Sequence, residues 1–264
     1  MAIVTLTTDF GTFDGYVAQM KGVLLSNGPA DLRMIDLAHD IPAQDVMSAA
    51  LLAEAAFPRF PAGTVHVMVV DPGVGSVRRG MIARLQDQYL VGPDNGVFSL
   101  LYDGREELVG IDLAKLPGPI ASTFHGRDVF APAAAMLLCG TRPDQLGEQI
   151  TDPVRLQLPI AKFTESRVRG EVIHVDRFGN LITNLRVAEL MRWSEGNTLA
   201  VTYDTTHVVP MCDHYAQVPS GDLLAICDSS GRLEVAVRDG NAHQKLAARV
   251  GMPVHVHQAV SRRR

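Results

Sequence analysis

The chain has 264 residues, 47% of them hydrophobic and 20% charged, an ordinary globular composition with room for one large domain or two modest ones. Its formal net charge of −5 excludes the dense cationic face that nucleic-acid binding needs, and the run Ser261-Arg262-Arg263-Arg264 reads as a frayed, solvated tail. Cys139, Cys212 and Cys227 are widely spaced, the N-terminus is not signal-like, and no apolar stretch reaches the roughly 18 residues that cross a bilayer; together these predict a soluble, cytoplasmic protein with free thiols and no membrane partner.

In chain order, Ile3 to Thr8 is a short β-branched run that ends at Asp9-Phe10-Gly11. Between Asp14 and Leu25 the apolar positions Val17, Met20, Val23 and Leu24 recur at helical spacing. Met34-Ile35-Asp36-Leu37 reads as a second strand. Pro42 opens a helical stretch whose apolar face is Val46, Ala49, Ala50, Leu52 and Ala53. Val65 to Val70 is almost continuously apolar, as expected of a strand covered on both sides, and it runs into the tight, open turn Asp71-Pro72-Gly73-Val74-Gly75. A hairpin follows (Met81 to Leu85, Tyr89 to Val91), then a helix over Val129 to Leu138 with Asp128 as its N-cap. This alternation predicts an N-terminal α/β domain with a central, largely parallel sheet.

Beyond Leu158-Pro159 the texture changes. Val168 to Val175, Thr198 to Tyr203, His207 to Met211, Leu223 to Cys227, Leu233 to Val237 and Pro253 to Gln258 are short alternating segments separated by Gly and Asn turns. They predict a smaller C-terminal antiparallel β-barrel domain. The boundary falls near residues 159–167, giving domains of 1–160 and 166–264.

Polar groups at strand ends are the places where chemistry would sit in such a sheet. Asp9, flanked by Gly11 and Gly15, either accepts both hydroxyls of a ribose or forms an Asx-turn or helix cap. Asp71 follows a wholly apolar strand, with Arg78 seven residues on; the two make either a structural ion pair or part of a reacting group. His125 lies in the polar knot Thr123-Phe124-His125-Gly126-Arg127-Asp128. Neither that knot nor His66, His174, His207, His214, His255 and His257 shows metal-ligand spacing, so no metal is expected. In the second half, Asp176-Arg177-Phe178-Gly179-Asn180 is either a hairpin with a type I′ turn or a loop in which Phe178 stacks on a base and Asn180 reads its edge. Asp228-Ser229-Ser230-Gly231 is similarly a hairpin turn or a ligand-gripping edge. No Gly-x-Gly-x-x-Gly or Walker-type loop opens a helix, which points to an uncharged or cationic ligand.

Taken in order, six stretches resemble the SAM hydroxide adenosyltransferases, or adenosine-forming SAM hydrolases, the relatives of fluorinase and chlorinase. They are Thr8 to Thr12, Val69 to Gly75, Gly92-Pro93-Asp94-Asn95-Gly96, Thr123 to Asp128, Asp176 to Asn180 and Ser229 to Val237, and they span almost the whole chain. The resemblance implies a homotrimer of two-domain subunits, each site lying between the N-terminal domain of one subunit and the barrel of the next. It implies hydrolysis of S-adenosyl-L-methionine (SAM) to adenosine and methionine without any cofactor. Asp71, Arg78 and His125 would orient the water. Asp9, with Asp14 near it, would meet the ribose, and Asn180 and the backbone around Val237 would read adenine. Phe124 and Phe178 would pack on the purine or ribose. Asp176, Ser229 and Glu234 would grip the methionine end or frame the pocket.

The halogenase pattern has tyrosines where this chain has Asp71 and His125, and fluorinase has its halide serine where this chain has Gly126; chlorinase also has glycine there, so that position does not exclude chloride. A carboxylate lining a dry pocket repels an anion, so Asp71 favours water over halide. The arginine of fluorinase-like enzymes beside the amino-acid end is here Ser230, and Arg79 directly follows Arg78, leaving open which of the two faces the site. The rival readings are a halide-using SAM enzyme, a non-catalytic SAM or adenosine sensor, and a metal-dependent hydrolase built on His125.

Overall fold

The N-terminal run becomes β1 (Ile3–Thr8), buried from Val4 onward. It is followed by α1 (Tyr16–Asn27), β2 (Arg33–Ala38), α2 (Val46–Ala56) and β3 (Val65–Val69). Next come β4 (Gly80–Leu85), β5 (Gln88–Pro93), β6 (Glu107–Ile111), α3 (Ala131–Leu138), α4 (Pro143–Leu146) and β7 (Gly147–Gln149). This computed structural model describes residues 1–203 and 208–258, so His207, the predicted start of a strand, and residues 261–264 of the tail lie outside the described residues.

The chain divides into two units, Met1–Leu156 and Gln157–Arg264. The first carries a seven-stranded sheet in the order β2-β1-β3-β5-β4-β6-β7. Its first four members are mutually parallel. The remaining pairings are antiparallel. Alternate residues of β3 feed two apolar layers. Val65, Val67 and Val69 pack with Met20, Leu24 and Phe130 on the side of α1 and α3. Met68 packs with Ala49, Ala53 and Phe98 on the side of α2. The single polar residue of this doubly covered strand, His66, is buried and held by Thr5 and Gln88, leaving no place for an unpaired charge until the strand ends. The charge of Asp71 can come only after β3.

Two predicted helix starts move. Pro42 lies in a turn, closed by the N–H of Asp45 on its carbonyl at 2.9 Å, and α2 begins at Val46 with Asp45 as N-cap, accepting from Ser48 N at 2.9 Å. Asp128 is not an N-cap. It sits inside a π-helical turn, Gly126–Phe130, that leads straight into α3. Its carboxylate instead accepts from the Ala121 N–H at 2.9 Å and from Arg127.

The second unit contains β8 (Lys162–Phe163), β9 (Arg167–Val175), β10 (Leu181–Arg186), α5 (Val187–Ser194), β11 (Leu199–Thr202) and β12 (Val208–Cys212). It ends with β13 (Leu223–Cys227), β14 (Arg232–Val237), α6 (Ala242–Leu246) and β15 (Pro253–Gln258). The order β10-β14-β13-β12-β11-β15-β9 is closed by pairing of β9 with β10, which makes a seven-stranded barrel with β8 added outside. All its pairings are antiparallel except β12 with β13. Inward alternation puts Val168, Val172, Leu181, Val201, Leu233 and Val235 into its core.

The turn at Asp176 differs from the type I′ expectation. Only Gly179 has positive φ, 83°, where a type I′ turn needs two such residues. The loop is instead a tight turn followed by a left-handed glycine. The N–H of Gly179 donates to the Asp176 carbonyl at 3.0 Å, and Asp176 Oδ1 accepts from the N–H groups of Phe178 and Asn180, both at 2.8 Å. Asp228 builds the same loop: Gly231 has φ 79°, its N–H donates to the Asp228 carbonyl at 3.1 Å, and Asp228 Oδ1 accepts from Ser230 and Arg232, both at 2.8 Å.

Candidate active site

β1 and β3 are adjacent and parallel, with Thr8 opposite Val69, so Asp9 and Asp71 emerge from the same edge of the sheet. Open α/β sheets bind ligands at this carboxyl edge. Between the two carboxylates lies a hollow of about 330 Å³, at the small end of ligand sites, whose walls include Asp9, Gln44, Asp71, Phe124 and His125. Phe10, Tyr16 and Phe124 form an edge-to-face trio along it, with centroids 5.3 to 5.9 Å apart.

Arg78 holds the chemistry together. Its Nε donates to Asp71 Oδ1 at 2.8 Å, one terminal nitrogen donates to Asp71 Oδ2, and that same nitrogen lies 2.8 Å from His125 Nδ1. The guanidinium sits over the Phe130 ring, 5.3 Å from its centroid. Side-chain exposure is 10% for Arg78 and 4% for Asp71, so the pair is largely desolvated and each charge depends on the other. A guanidinium has only donors, so Nδ1 of His125 must accept, and the proton of the neutral ring stands on Nε2. Burial, reinforced by the Arg78 charge, pushes the His125 imidazole below its usual pKa and keeps it neutral.

The local backbone explains how these groups meet. Gly75 adopts φ 76°, and a Cβ there would come within 2.5 Å of the Ser122 carbonyl; the Asp71 loop can therefore lie directly on the strand of chain leading to His125. His125 precedes the π-turn, a one-residue widening common at functional sites. Asn95, within the Gly-Pro-Asp-Asn-Gly motif, donates from Nδ2 to the Val70 carbonyl at 2.8 Å, fixing the residue before Asp71. Asp9 is neither an Asx-turn nor a cap. Its Oδ2 accepts from the N–H of Gln44 at 2.8 Å, and α1 has Gly15 at its N-cap position with no side-chain cap.

The structure separates the two arginines. Arg79 faces away from Asp71, donating to Asp94 Oδ2 at 2.7 and 3.0 Å and to Asp152 Oδ1 at 2.8 Å. Gly126 has little spare room, because a Cβ would stand 3.1 Å from Met20 Sδ and 3.3 Å from the rings of Phe10 and Phe124.

In the barrel unit a second, shallower groove is lined by Phe178, Asn180, Tyr215, Val237, Asp239 and Gly240. Phe178 is 74% exposed at its rim. Asp176 is spent on the loop itself, since its Oδ2 also accepts from Asn180 Nδ2 at 2.9 Å and so orients that amide. Glu234 is 4% exposed and accepts a hydrogen bond of 2.7 Å from the Tyr215 hydroxyl. Burial, with Asp176 and Asp228 nearby, raises the Glu234 carboxyl above its usual range. Asp14 and Ser229 are exposed loop residues, and neither lines the hollow at Asp9 or the groove at Phe178. Among the described residues, no group of three or more His, Cys, Asp or Glu side chains could hold a metal ion. No described helix is long and apolar enough to cross a membrane.

Sequence reading did not pick out Gln44, Tyr16 or Tyr215. Gln44 lies in a turn before a helix and Tyr215 in an irregular connection, so neither falls on a periodic pattern. Asn95 did have a signal, its Gly-Pro-Asp-Asn-Gly motif.

With this geometry in place, comparison with known proteins is specific. Profiles for the N-terminal and C-terminal domains of the SAM hydroxide adenosyltransferases match residues 4–147 and 170–255. An (R)-S-adenosyl-L-methionine hydrolase of Thermus thermophilus is 41% identical, covering 97% of this chain and 100% of its own. A protein of the same name from Salinispora arenicola is 38% identical over 96% and 97% of the two chains. A fluorinase of an Actinoplanes species is more distant, at 25% identity over 89% and 90%. Among solved structures, an uncharacterized conserved protein from Thermotoga maritima superposes with a TM-score of 0.88 at 32% identity, over 97% of this chain and 99% of that one.

Proposed function

The chain belongs to the SAM hydroxide adenosyltransferase family, and on that premise we propose that it hydrolyses SAM to adenosine and L-methionine. The observation that carries the reading is the pair Asp71 and His125 at the wall of the hollow opened by β1 and β3, both hydrogen-bonded to Arg78 behind them. Sulfonium is already a good leaving group, so no acid and no cofactor are required. What must be supplied is a nucleophile in line with the ribose C5′–S bond, held roughly 3 Å from carbon.

The three side chains divide that work. His125, with Nδ1 taken by Arg78, offers Nε2–H to a lone pair of water. Asp71 then accepts a proton from the same water as the C–O bond forms, which makes Asp71 the base and His125 the orienting donor. Arg78, bound through two nitrogens to the Asp71 carboxylate, favours hydroxide character on the water. Asp9, one oxygen fixed by Gln44, turns its other edge to the ribose hydroxyls. Phe124 packs on the sugar. In the barrel, Phe178 stacks on adenine, and Asn180 with the Val237 backbone reads its edge. Glu234 frames that groove through Tyr215, and Ser229 and Asp14 contact the methionine and ribose ends respectively.

The two halves of this reading sit in different units, and we propose a cytoplasmic homotrimer whose sites combine the hollow of one copy with the groove of the next. The fully exposed side chains of Phe13 and Val77 (97% and 103%), close in sequence to the hollow residues, support a covered surface there. Light scattering on the purified protein tests the trimer directly.

The decisive experiment uses purified protein with SAM in oxygen-18 water, with each sulfonium epimer assayed separately because the relatives are named for the (R) form. Adenosine carrying label in its 5′-hydroxyl, formed equally well with a chelator present, is the expected result. A 5′-halo-adenosine formed with chloride or fluoride, or loss of turnover with the chelator, overturns it.

A further inference from the structure

β1 and β2 pair in parallel with a register shift between Leu6 and Thr7, just before the loop that carries Asp9. Irregularities of this kind re-aim side chains beside active sites. Here the shift sets Thr7 opposite Ala38, and the next residues, Thr8 and His39, stand together at the end of the pair. Both are buried, at 0% and 7% exposure.

His39 grips the Asp9 loop from two sides. Its Nδ1 is hydrogen-bonded to Thr8 Oγ1 at 2.9 Å, and that oxygen also accepts the Phe10 N–H at 3.2 Å. Its main-chain carbonyl accepts the Gly11 N–H at 2.7 Å. Asp9 is thus bracketed by Thr8 and Gly11, both hydrogen-bonded to His39. Behind the ring, Nε2 lies 3.1 Å from Asp36 Oδ1 without the alignment of a full hydrogen bond, and Asp36 Oδ2 accepts from Lys21 Nζ at 2.6 Å. The chain leaving His39 soon reaches Gln44, whose left-handed backbone (φ 66°) aims its N–H at Asp9 Oδ2. A non-glycine residue held in that conformation is strained and persists only where its surroundings impose it.

A carboxylate, an imidazole and a hydroxyl in a row suggest a nucleophile. Thr8 is wholly buried, however, and is not among the residues lining the hollow at Asp9. The row cannot touch substrate, so any effect on the reaction must pass through Asp9.

We propose that His39 is a positioning residue that sets the direction in which Asp9 meets the ribose hydroxyls. The inference rests on the hydrolase reading above, in which Asp9 is the ribose contact. Preorganisation of this kind matters because a misaimed carboxylate loses its hydrogen bonds without losing its charge.

The test compares full-length wild type with His39→Leu, His39→Asn and Thr8→Val. Each is titrated calorimetrically with adenosine and with 2′,3′-dideoxyadenosine, and assayed for adenosine release from SAM. An asparagine amide can stand where Nδ1 stands and keep the Thr8 contact; leucine cannot. His39→Leu and Thr8→Val are expected to weaken adenosine about tenfold, the scale of one to two lost hydrogen bonds, and to leave dideoxyadenosine affinity unchanged. His39→Asn retains most of the wild-type preference. A purely structural role would weaken both nucleosides equally or neither, and either pattern overturns the proposal. If His39→Leu does not fold, Thr8→Val carries the same comparison. A wild type that releases no adenosine from SAM brings down the hydrolase reading and this inference with it. A wild type that does, beside variants that treat the two nucleosides alike, brings down this inference alone.

Discussion

Arg78 and Arg79 are neighbours in the chain, both paired with aspartate, yet their surroundings have little in common. Strand-like alternation sends them to opposite sides. Arg78, 10% exposed at its side chain, is shared between a carboxylate and a neutral imidazole. Arg79, 38% exposed, is shared between Asp94 and Asp152, and it also donates to the Asp152 carbonyl at 2.9 Å. Asp94 in turn accepts the Val154 N–H at 2.8 Å. Around Arg79 the buried carboxylate, Asp94, is taken by Arg79 and the Val154 N–H, and Asp152 stands 79% exposed at the surface, the pattern of a cluster that holds the fold. Around Arg78, one directional donor, Nε2–H of His125, is left over beside a hollow. The difference between scaffold and site lies in that unspent hydrogen bond, since both clusters contain the same charged residues.

Substitutions on the two sides should therefore diverge. Asp71→Asn removes the base and should lower kcat about 10²-fold or more in an adenosine-release assay. It also strands a buried guanidinium, so a loss of about 3–5 kcal/mol in unfolding free energy should accompany it in urea titrations. Arg78→Lys keeps the charge but loses the fork; one ammonium cannot serve Asp71 and His125 as a plane does, and a fall in kcat of about tenfold or more is expected. Unchanged kcat in that variant would show that the shared donor is dispensable.

The acid limb of the pH profile probes the same geometry. Because the imidazole is already held below its ordinary value of 6.5, His125 stays neutral through pH 7 and protonates only at lower pH. Protonation puts an N–H against Arg78, so kcat should fall as pH drops, with a midpoint under 6.5, and should stay level on the alkaline side of that midpoint. In His125→Asn the residual rate should lose this limb. Gly126→Ser inserts atoms where the neighbours already stand at 3.1 to 3.3 Å. It should cost about 1–3 kcal/mol of stability and yield no halogenated nucleoside; a halogenated product would mean that the serine alone confers halide use. The smallest kinetic effect belongs to Arg79→Met, which should lower stability by about 1–3 kcal/mol with kcat unchanged.

Much of the architecture was legible because it is periodic. The apolar run Val65 to Val70 announces a doubly covered strand, and alternation in Val168 to Val175 and Leu233 to Val237 announces barrel staves. Helix starts were less legible: Pro42 looks like a helix opening, but the side chain that caps the first turn is Asp45, three residues later. The turn at Asp176 misled for a similar reason, since Gly-Asn suggests two left-handed residues and the Asp176 carboxylate stabilises a loop with only one.

The sequence by itself determined the two kinds of sheet and where the polar residues interrupt them, because burial period and turn chemistry are properties of neighbours along the chain. It also held the family's motifs in order, Asp71, Arg78 and His125 among them. It could not say which of Arg78 and Arg79 joins Asp71 to His125, that His125 offers Nε2 rather than Nδ1, or that Asp9 leans on Gln44 while His39 holds its neighbours Thr8 and Gly11. Those depend on residues tens of positions apart meeting within 3 Å or so, and only the packed sheet decides who meets whom. A hydrogen bond acquires its direction from the tertiary structure, and the proposed chemistry turns on that direction.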